Sequence, residues 1–184
     1  MNIKDAIEFI EAQIKSIAGL GDDDVHVDNV ADEAGRPTGI LITLVKVEEE
    51  KTLKNGKRQS LNEDLKTIYK NRPVHLNLYL LFSFNFNLYP TALDSLSTVV
   101  KVFQYKNVFT EKDGQLVAGT NEPFKMIFDM HSLSLEATNH LWGFLGGKQI
   151  PSVLYKVRLL SLEYDKPQEI RRAINTIDIE SGNN

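Results

Sequence analysis

The chain has 184 residues, 42% of them hydrophobic and 25% charged, with a net charge of −4 and no cysteine. This is the make-up of an ordinary globular protein long enough to bury a core without covalent staples. It excludes a disulfide framework, a thiolate metal site and a thiol nucleophile, and its negative balance argues against sequence-independent nucleic-acid binding.

Ile3, Ile7, Ile10, Ile14 and Ile17 alternate at spacings of four and three, which predicts a helix with one apolar stripe. Asn2 is its N-cap, and Gly19 and Gly21 end it. The stripe is too short for a coiled coil and suits packing on a sheet. Phe9 lies off it, either as a rim contact or as a residue that awaits a partner. The run Asp22-Asp23-Asp24 invites a calcium reading, but an EF-hand loop needs oxygen ligands at alternating positions and a glycine at the sixth. A solvated turn fits better. Residues 25–30 predict a short strand and 33–38 a turn around Gly35 and Pro37. Residues 40–47 are almost continuously apolar, hence a strand covered on both faces. From about residue 48 to 72 the chain is polar and charged, with only Leu53, Leu61, Leu65 and Ile68 as anchors. Such a stretch in a compact domain is usually functional or disordered. The expectation is a surface excursion that contacts another subunit, with a hairpin around Asn55-Gly56 as one form of it.

Every even position from Val74 to Leu88 is apolar, while the odd positions are mostly polar, with Leu81 the exception. Side chains alternate along a strand, so this predicts a greasy row on one side of a sheet. At about 3.3 Å per residue the run would reach roughly 50 Å, so a break or bulge near residues 83–87, or a projection beyond the body, is expected. Tyr89-Pro90 stops the ladder, and Leu93, Leu96, Val99, Val100 and Phe103 mark a helix. Residues 107–110 add a short strand and 111–122 a loop. Phe124, Met126, Phe128 and Met130 alternate as a half-buried strand. Ser134 caps a helix bearing Leu135, Leu141, Trp142 and Leu145, which Gly146-Gly147 ends. Val153, Tyr155, Val157 and Leu159 share one face of a further strand, with Lys156 and Arg158 on the other. Residues 168–180 fit either a helix, through Ile170, Ala173, Ile174 and Ile177, or an edge strand over 176–180.

Little in the chain points to catalysis. His26, His75, His131 and His140 are not paired at the spacing of helical zinc ligands. Gly146-Gly147-Lys148 ends a helix, whereas a phosphate loop begins one, and no Ser or Thr follows the lysine. There is no Gly-x-Ser-x-Gly elbow. No catalytic residue, cofactor site or metal site is therefore predicted. Phe82, Phe103 and Trp142 read as core, whereas Leu81 and Phe9 are candidates for burial against another chain.

The words Leu76-Asn77-Leu78-Tyr79-Leu80-Leu81-Phe82, Leu96-Ser97, Phe103-Gln104, Val108-Phe109, Leu133-Ser134, Asn139-His140-Leu141-Trp142, Leu145-Gly146 and Pro151-Ser152-Val153-Leu154-Tyr155-Lys156-Val157-Arg158 occur in order. Together with the stretch from Glu48 to Leu53 they resemble the N-terminal domain of cap, or tail-terminator, proteins of phage-tail-like contractile injection systems. The resemblance covers almost the whole chain. It implies an α/β (α+β) fold: a single domain over residues 1–184 with a mixed, largely antiparallel sheet and packed helices, like phage tail terminators. It also implies a structural assembly protein with no catalytic residues and no cofactor. Such a protein forms a homo-hexameric ring that terminates inner tube and sheath polymerisation at the baseplate-distal end. The partners expected are further copies of the chain, inner tube and sheath proteins, and a second cap protein as an optional addition. Neither nucleic acid nor a membrane span is expected. Assembly is expected in the cytoplasm, into a particle that is released or membrane-associated. Candidate interface residues are Phe9, Lys51, Leu53, Asn55, Lys57, Arg58, Leu81, Asn85 and Asn87. The alternative is a monomeric or dimeric small-ligand-binding domain, or an enzyme with a scattered site.

Overall fold

The spaced isoleucines form helix α1 (Ile3–Ala18). The Asn2 side chain accepts the Asp5 N–H at 2.8 Å and the Asp5 carboxylate accepts the Asn2 N–H at 3.2 Å, so each satisfies a donor at the helix start. Gly19, at φ 67°, ends the helix in the left-handed region. The structure, a computed structural model, describes residues 2–32, 35–50, 59–61, 66–69, 74–113, 124–146, 148–162 and 169–172. After an exposed 3-10 turn at Asp22–Asp24 come strands β1 (Val25–Val27), β2 (Gly39–Glu49), β3 (Gln59–Leu61), β4 (Lys66–Tyr69) and β5 (Val74–Asn85). Helix α2 (Tyr89–Tyr105), β6 (Val108–Thr110), β7 (Lys125–Met130), α3 (Leu135–Phe144), β8 (Ser152–Leu162) and β9 (Glu169–Arg172) follow.

Six strands make one sheet in the order β1-β2-β5-β8-β7-β6, in which only β1 and β2 run parallel. The mixed, largely antiparallel sheet expected from the sequence is therefore present. A second sheet, β3-β4-β9, is antiparallel throughout. The even row of β5 faces the larger core. Leu78, Leu80, Phe82 and Phe84 pack there with Ile7, Ile10 and Ile14 of α1, Val99 and Phe103 of α2, and Met126 and Phe128 of β7. Phe103 stacks on Phe128 with ring centres 4.4 Å apart.

Several expectations are corrected. β1 ends at Val27, because Thr43 takes the chain out of the ladder: its hydroxyl donates to the Asp28 carbonyl and accepts the Val30 N–H. β5 stops at Asn85, which is the break expected near residues 83–87, and no bulge lies there. The irregularities lie elsewhere, one at Val45 of β2 and one opposite Asn77 in β8. Within the polar excursion β3 pairs with β4, while the hairpin expected around Asn55-Gly56 lies outside the described residues. The tail strand is β9, ahead of residues 176–180, which lie outside the described residues.

The largest correction concerns the odd row of β5. Tyr79 and Leu81 are buried in a second core with Val30, Leu41, Trp142 and Leu154, because α3 and its flanking residues Leu133, Leu145 and Ile150 cover that face. Leu81 is 2% exposed and Phe9 likewise 2%, so both are spent inside the chain. Phe9 meets Phe109 and Phe124 edge-on at 6.3 and 5.1 Å, since β6 and the approach to β7 flank α1 beyond its isoleucine stripe.

Candidate interaction surface

α3 covers only part of the second sheet face. Towards the start of β5 that face is open and charged. Lys46 of β2, Tyr79 of β5, Lys156 of β8 and Asp129 of β7 stand side by side across four strands. The Tyr79 hydroxyl donates to Glu48 Oε2 at 2.7 Å. Lys46 and Lys156 each approach Glu48 at 3.8 Å, and their ammonium groups lie 5.0 and 5.6 Å from the Tyr79 ring centre. Asn77 donates to Glu50 at 3.1 Å, and Arg158 meets Asp129 at 2.6 Å. The Tyr79 hydrogen bond, followed by Lys46, holds the Glu48 carboxyl below the usual carboxylate range. The same bond, then burial, pushes the Tyr79 phenol up. The result is a pre-positioned mosaic of both charge signs, which suits recognition of a complementary surface.

The three-stranded ribbon β3-β4-β9 joins the main sheet in sequence at β5 and β8. β4 stops five residues before Val74 of β5 and β9 starts seven residues after Leu162 of β8, while Val74 and Leu162 are themselves partners. β4 and β9 pair from Tyr69 with Glu169 to Lys66 with Arg172. The opposite end of the sheet has a different character. A groove of about 630 Å³ opens between the start of α2, α3 and the start of β8, lined by Tyr89, Leu93, Met130, Leu133, Trp142 and Ile150 among others. Leu88, Leu135 and Phe144 are also exposed on this part of the chain. At the β6 edge, Asp113 accepts the Thr110 N–H at 2.7 Å and pairs with Lys106 at 2.6 Å, so a donor of that edge is already taken. Lys106 and Thr110 together hold the Asp113 carboxyl below the usual range.

Of the residues singled out in the sequence, Asn85 is half-buried and donates to the Pro37 carbonyl at 2.7 Å, and Asn87 is exposed. Lys51, Leu53, Asn55, Lys57 and Arg58 lie outside the described residues. Among the described residues no three His, Asp or Glu side chains gather to hold a metal, and no helix is long and apolar enough to cross a membrane. Sequence reasoning missed the Lys46–Tyr79–Lys156 row. Its signal was charge at single positions of otherwise apolar strands, and only the strand register brings the three together.

A family model described as the Pvc16 N-terminal domain matches residues 7–176. Among solved structures, the sheath/tube terminator of an extracellular contractile injection system, PVC, in its extended state gives a TM-score of 0.72 at 14% identity. The superposition covers 100% of this chain and 64% of that one. The tube-terminating cap of the anti-feeding prophage gives a TM-score of 0.65 at 15% identity, covering 97% of this chain and 61% of that one. The chain thus spans less than two thirds of the length of either protein, and at these identities the likeness shows a shared fold. No curated protein gives a significant match.

Proposed function

The chain belongs to the Pvc16 N-terminal domain family, and from that premise we propose that it is a structural assembly protein that caps a contractile injection system. In this reading it sits at the baseplate-distal end and ends the growth of inner tube and sheath as a homo-hexameric ring. The observation that carries the reading is that 100% and 97% of the chain superpose on a sheath/tube terminator and a tube-terminating cap. The whole described fold, not one motif, is what the chain has in common with them.

Residues 1–184 act here as one cap domain. A ring needs head-to-tail interfaces that close on themselves, and a projecting ribbon or a free sheet edge supplies them by strand addition or surface contact. The excursion over residues 48–72, including β3 and β4, meets a neighbouring subunit or the tube and sheath below, as does Asn87 just beyond β5. The Lys46–Tyr79–Lys156 face lies beside that excursion and extends the contact. The protein performs no catalysis. It assembles in the cytoplasm into a particle that is released or membrane-associated, with a second cap protein as an optional companion.

Electron microscopy of particles from cells that lack this chain tests the proposal. Tubes and sheaths of uncontrolled length, or none at all, are expected. Particles of normal length with normal ends would overturn it.

A further inference from the structure

The two outermost strands of the six-stranded sheet, β1 and β6, are three residues each. At β6 the Thr110 N–H is already taken by Asp113. β2 is exposed in a different way, because β1 covers only Ile40–Ile42 of its eleven residues. The Thr43 hydroxyl then holds the departing chain at the Asp28 carbonyl. Beyond Thr43, among the described residues, no strand lies beside β2 on that side.

Register decides which groups this edge presents. The Glu50 N–H donates to the His75 carbonyl at 2.8 Å, so the backbone of His75 faces β2. Alternation along β5 turns Asn77 and Tyr79 the same way, and their partners Glu48 and Lys46 spend their backbone groups on β5. Val47 lies between those two, so its N–H and C=O point away from β5, out of the sheet. Its side chain is 43% exposed, on the face opposite Lys46 and Glu48. Lys46 and Glu48 approach each other at 3.8 Å on the charged face. Read in reverse, the order Lys46-Val47-Glu48 is its own complement: cation against anion, and valine against valine.

We propose that β2 of one copy pairs antiparallel with β2 of a second copy along this edge, centred on Val47. The two Val47 residues exchange both backbone hydrogen bonds, and Lys46 of each copy stands directly across from the partner's Glu48. Opposite charges so placed stabilise a strand pair. The valine side chains meet on the other face and cover one another. A second copy is the occupant because the edge supplies its own complement in charge, apolar contact and backbone groups. The bulge at Val45 bends β2 and confines the pairing to a few residues, so the dimer is reversible. The contact is isologous and closes at two copies, whereas a ring needs head-to-tail contacts. It therefore belongs to the free chain and goes beyond the capping reading. Under that reading, the pair parts before the Lys46–Tyr79–Lys156 face meets its neighbours in the particle.

Charge reversal on the full chain, read by sedimentation velocity over a concentration series at low salt, tests the contact. The wild type is expected to form a reversible dimer that added salt weakens. Lys46→Glu sets carboxylates against each other across the pair, and Glu48→Lys does the same with ammonium groups. Each variant alone should dimerise about tenfold more weakly or worse. Mixed in equal amounts, the two should recover wild-type dimerisation, because every reversed charge then meets its opposite. Misfolding of a variant cannot produce that recovery. Val47→Pro removes the outward N–H without touching a bond to β5. It should abolish the dimer and keep a cooperative unfolding transition, whereas Val47→Thr should keep both. Four results would overturn the contact: a wild type that stays monomeric throughout, charge variants that associate as the wild type does, a mixture that stays apart, or an assembly that survives Val47→Pro. A monomeric wild type would leave this edge to an extended segment of another protein. Each of these results leaves the capping reading standing, since the microscopy of particle ends tests that separately.

Discussion

Tyr79 and Glu48 share one proton-bearing bond across the β2–β5 pair, and it ties two titrations together. The Glu48 carboxyl is held low chiefly by the Tyr79 hydroxyl and then by Lys46, against a smaller desolvation cost. The Tyr79 phenol is raised chiefly by Glu48 and then by burial. A lowered carboxyl contributes stability above its unfolded pKa and loses it as pH falls through the folded value. A raised phenol contributes below the ordinary phenol range and loses that contribution as pH rises through its folded value. The bond therefore supports the sheet between the two ranges and lapses at both extremes. Replacing Tyr79→Phe should shift the Glu48 midpoint to higher pH, and Glu48→Gln should let Tyr79 ionise at lower pH, both followed by NMR. Unmoved midpoints would show that the bond does not form in solution. Sequence alternation placed Tyr79 on a strand but left Glu48 in the polar excursion and had no means of pairing the two, since β2 runs on to Glu49 and the bulge at Val45 sets its register against β5.

At the scale of elements, α1 shows how a periodic stripe understates a buried face. Five isoleucines announce the helix, its cap and its stop, and all three are as the sequence implies. Yet Phe9 is buried too, because β6 and the approach to β7 supply Phe109 and Phe124 on a flank the isoleucines do not reach. Phe9→Ala should cost about 3–5 kcal/mol of unfolding free energy, the usual loss for a core phenylalanine. Phe144→Ala, at a side chain 89% exposed, should fall within about 0.5 kcal/mol of the wild type. Chemical denaturation distinguishes them. Equal effects would mean that α1 does not dock on the β6–β7 side. α3 makes the converse point. Its Ser134 cap and its stop near Gly146 were legible, whereas its docking over Leu41, Leu81 and Leu154 was not, because the partners come from three separate strands.

At the scale of the molecule, the sheet and the ribbon divide the work. The two cores lie on the faces of the six-stranded sheet, so the fold's stability resides there, and the capping proposal assigns contact to the ribbon. Removing residues 55–62 takes away β3 and should leave a cooperative unfolding transition for the main sheet. The same deletion should abolish cap assembly and disturb particle ends. If caps still assembled and particles kept normal ends, the ribbon would have no part in the interface, whatever the standing of the capping proposal. The fold shared with two terminators of tube or sheath gives this division its context.

What the sequence determined by itself was local. Spacing of apolar residues, caps and glycine stops specify α1, α2, α3 and most strands, because those signals act between residues a few positions apart. What only the tertiary structure decided was which faces are covered and which are left open. Leu81 and Phe9 looked like residues in search of a partner, and the partner proved to be α3 in one case and the β6–β7 side in the other. Lys46, Tyr79 and Lys156 came together through register alone. Coverage depends on elements distant in the chain packing on one another, and periodicity, which reports one element at a time, carries no information about what packs over it.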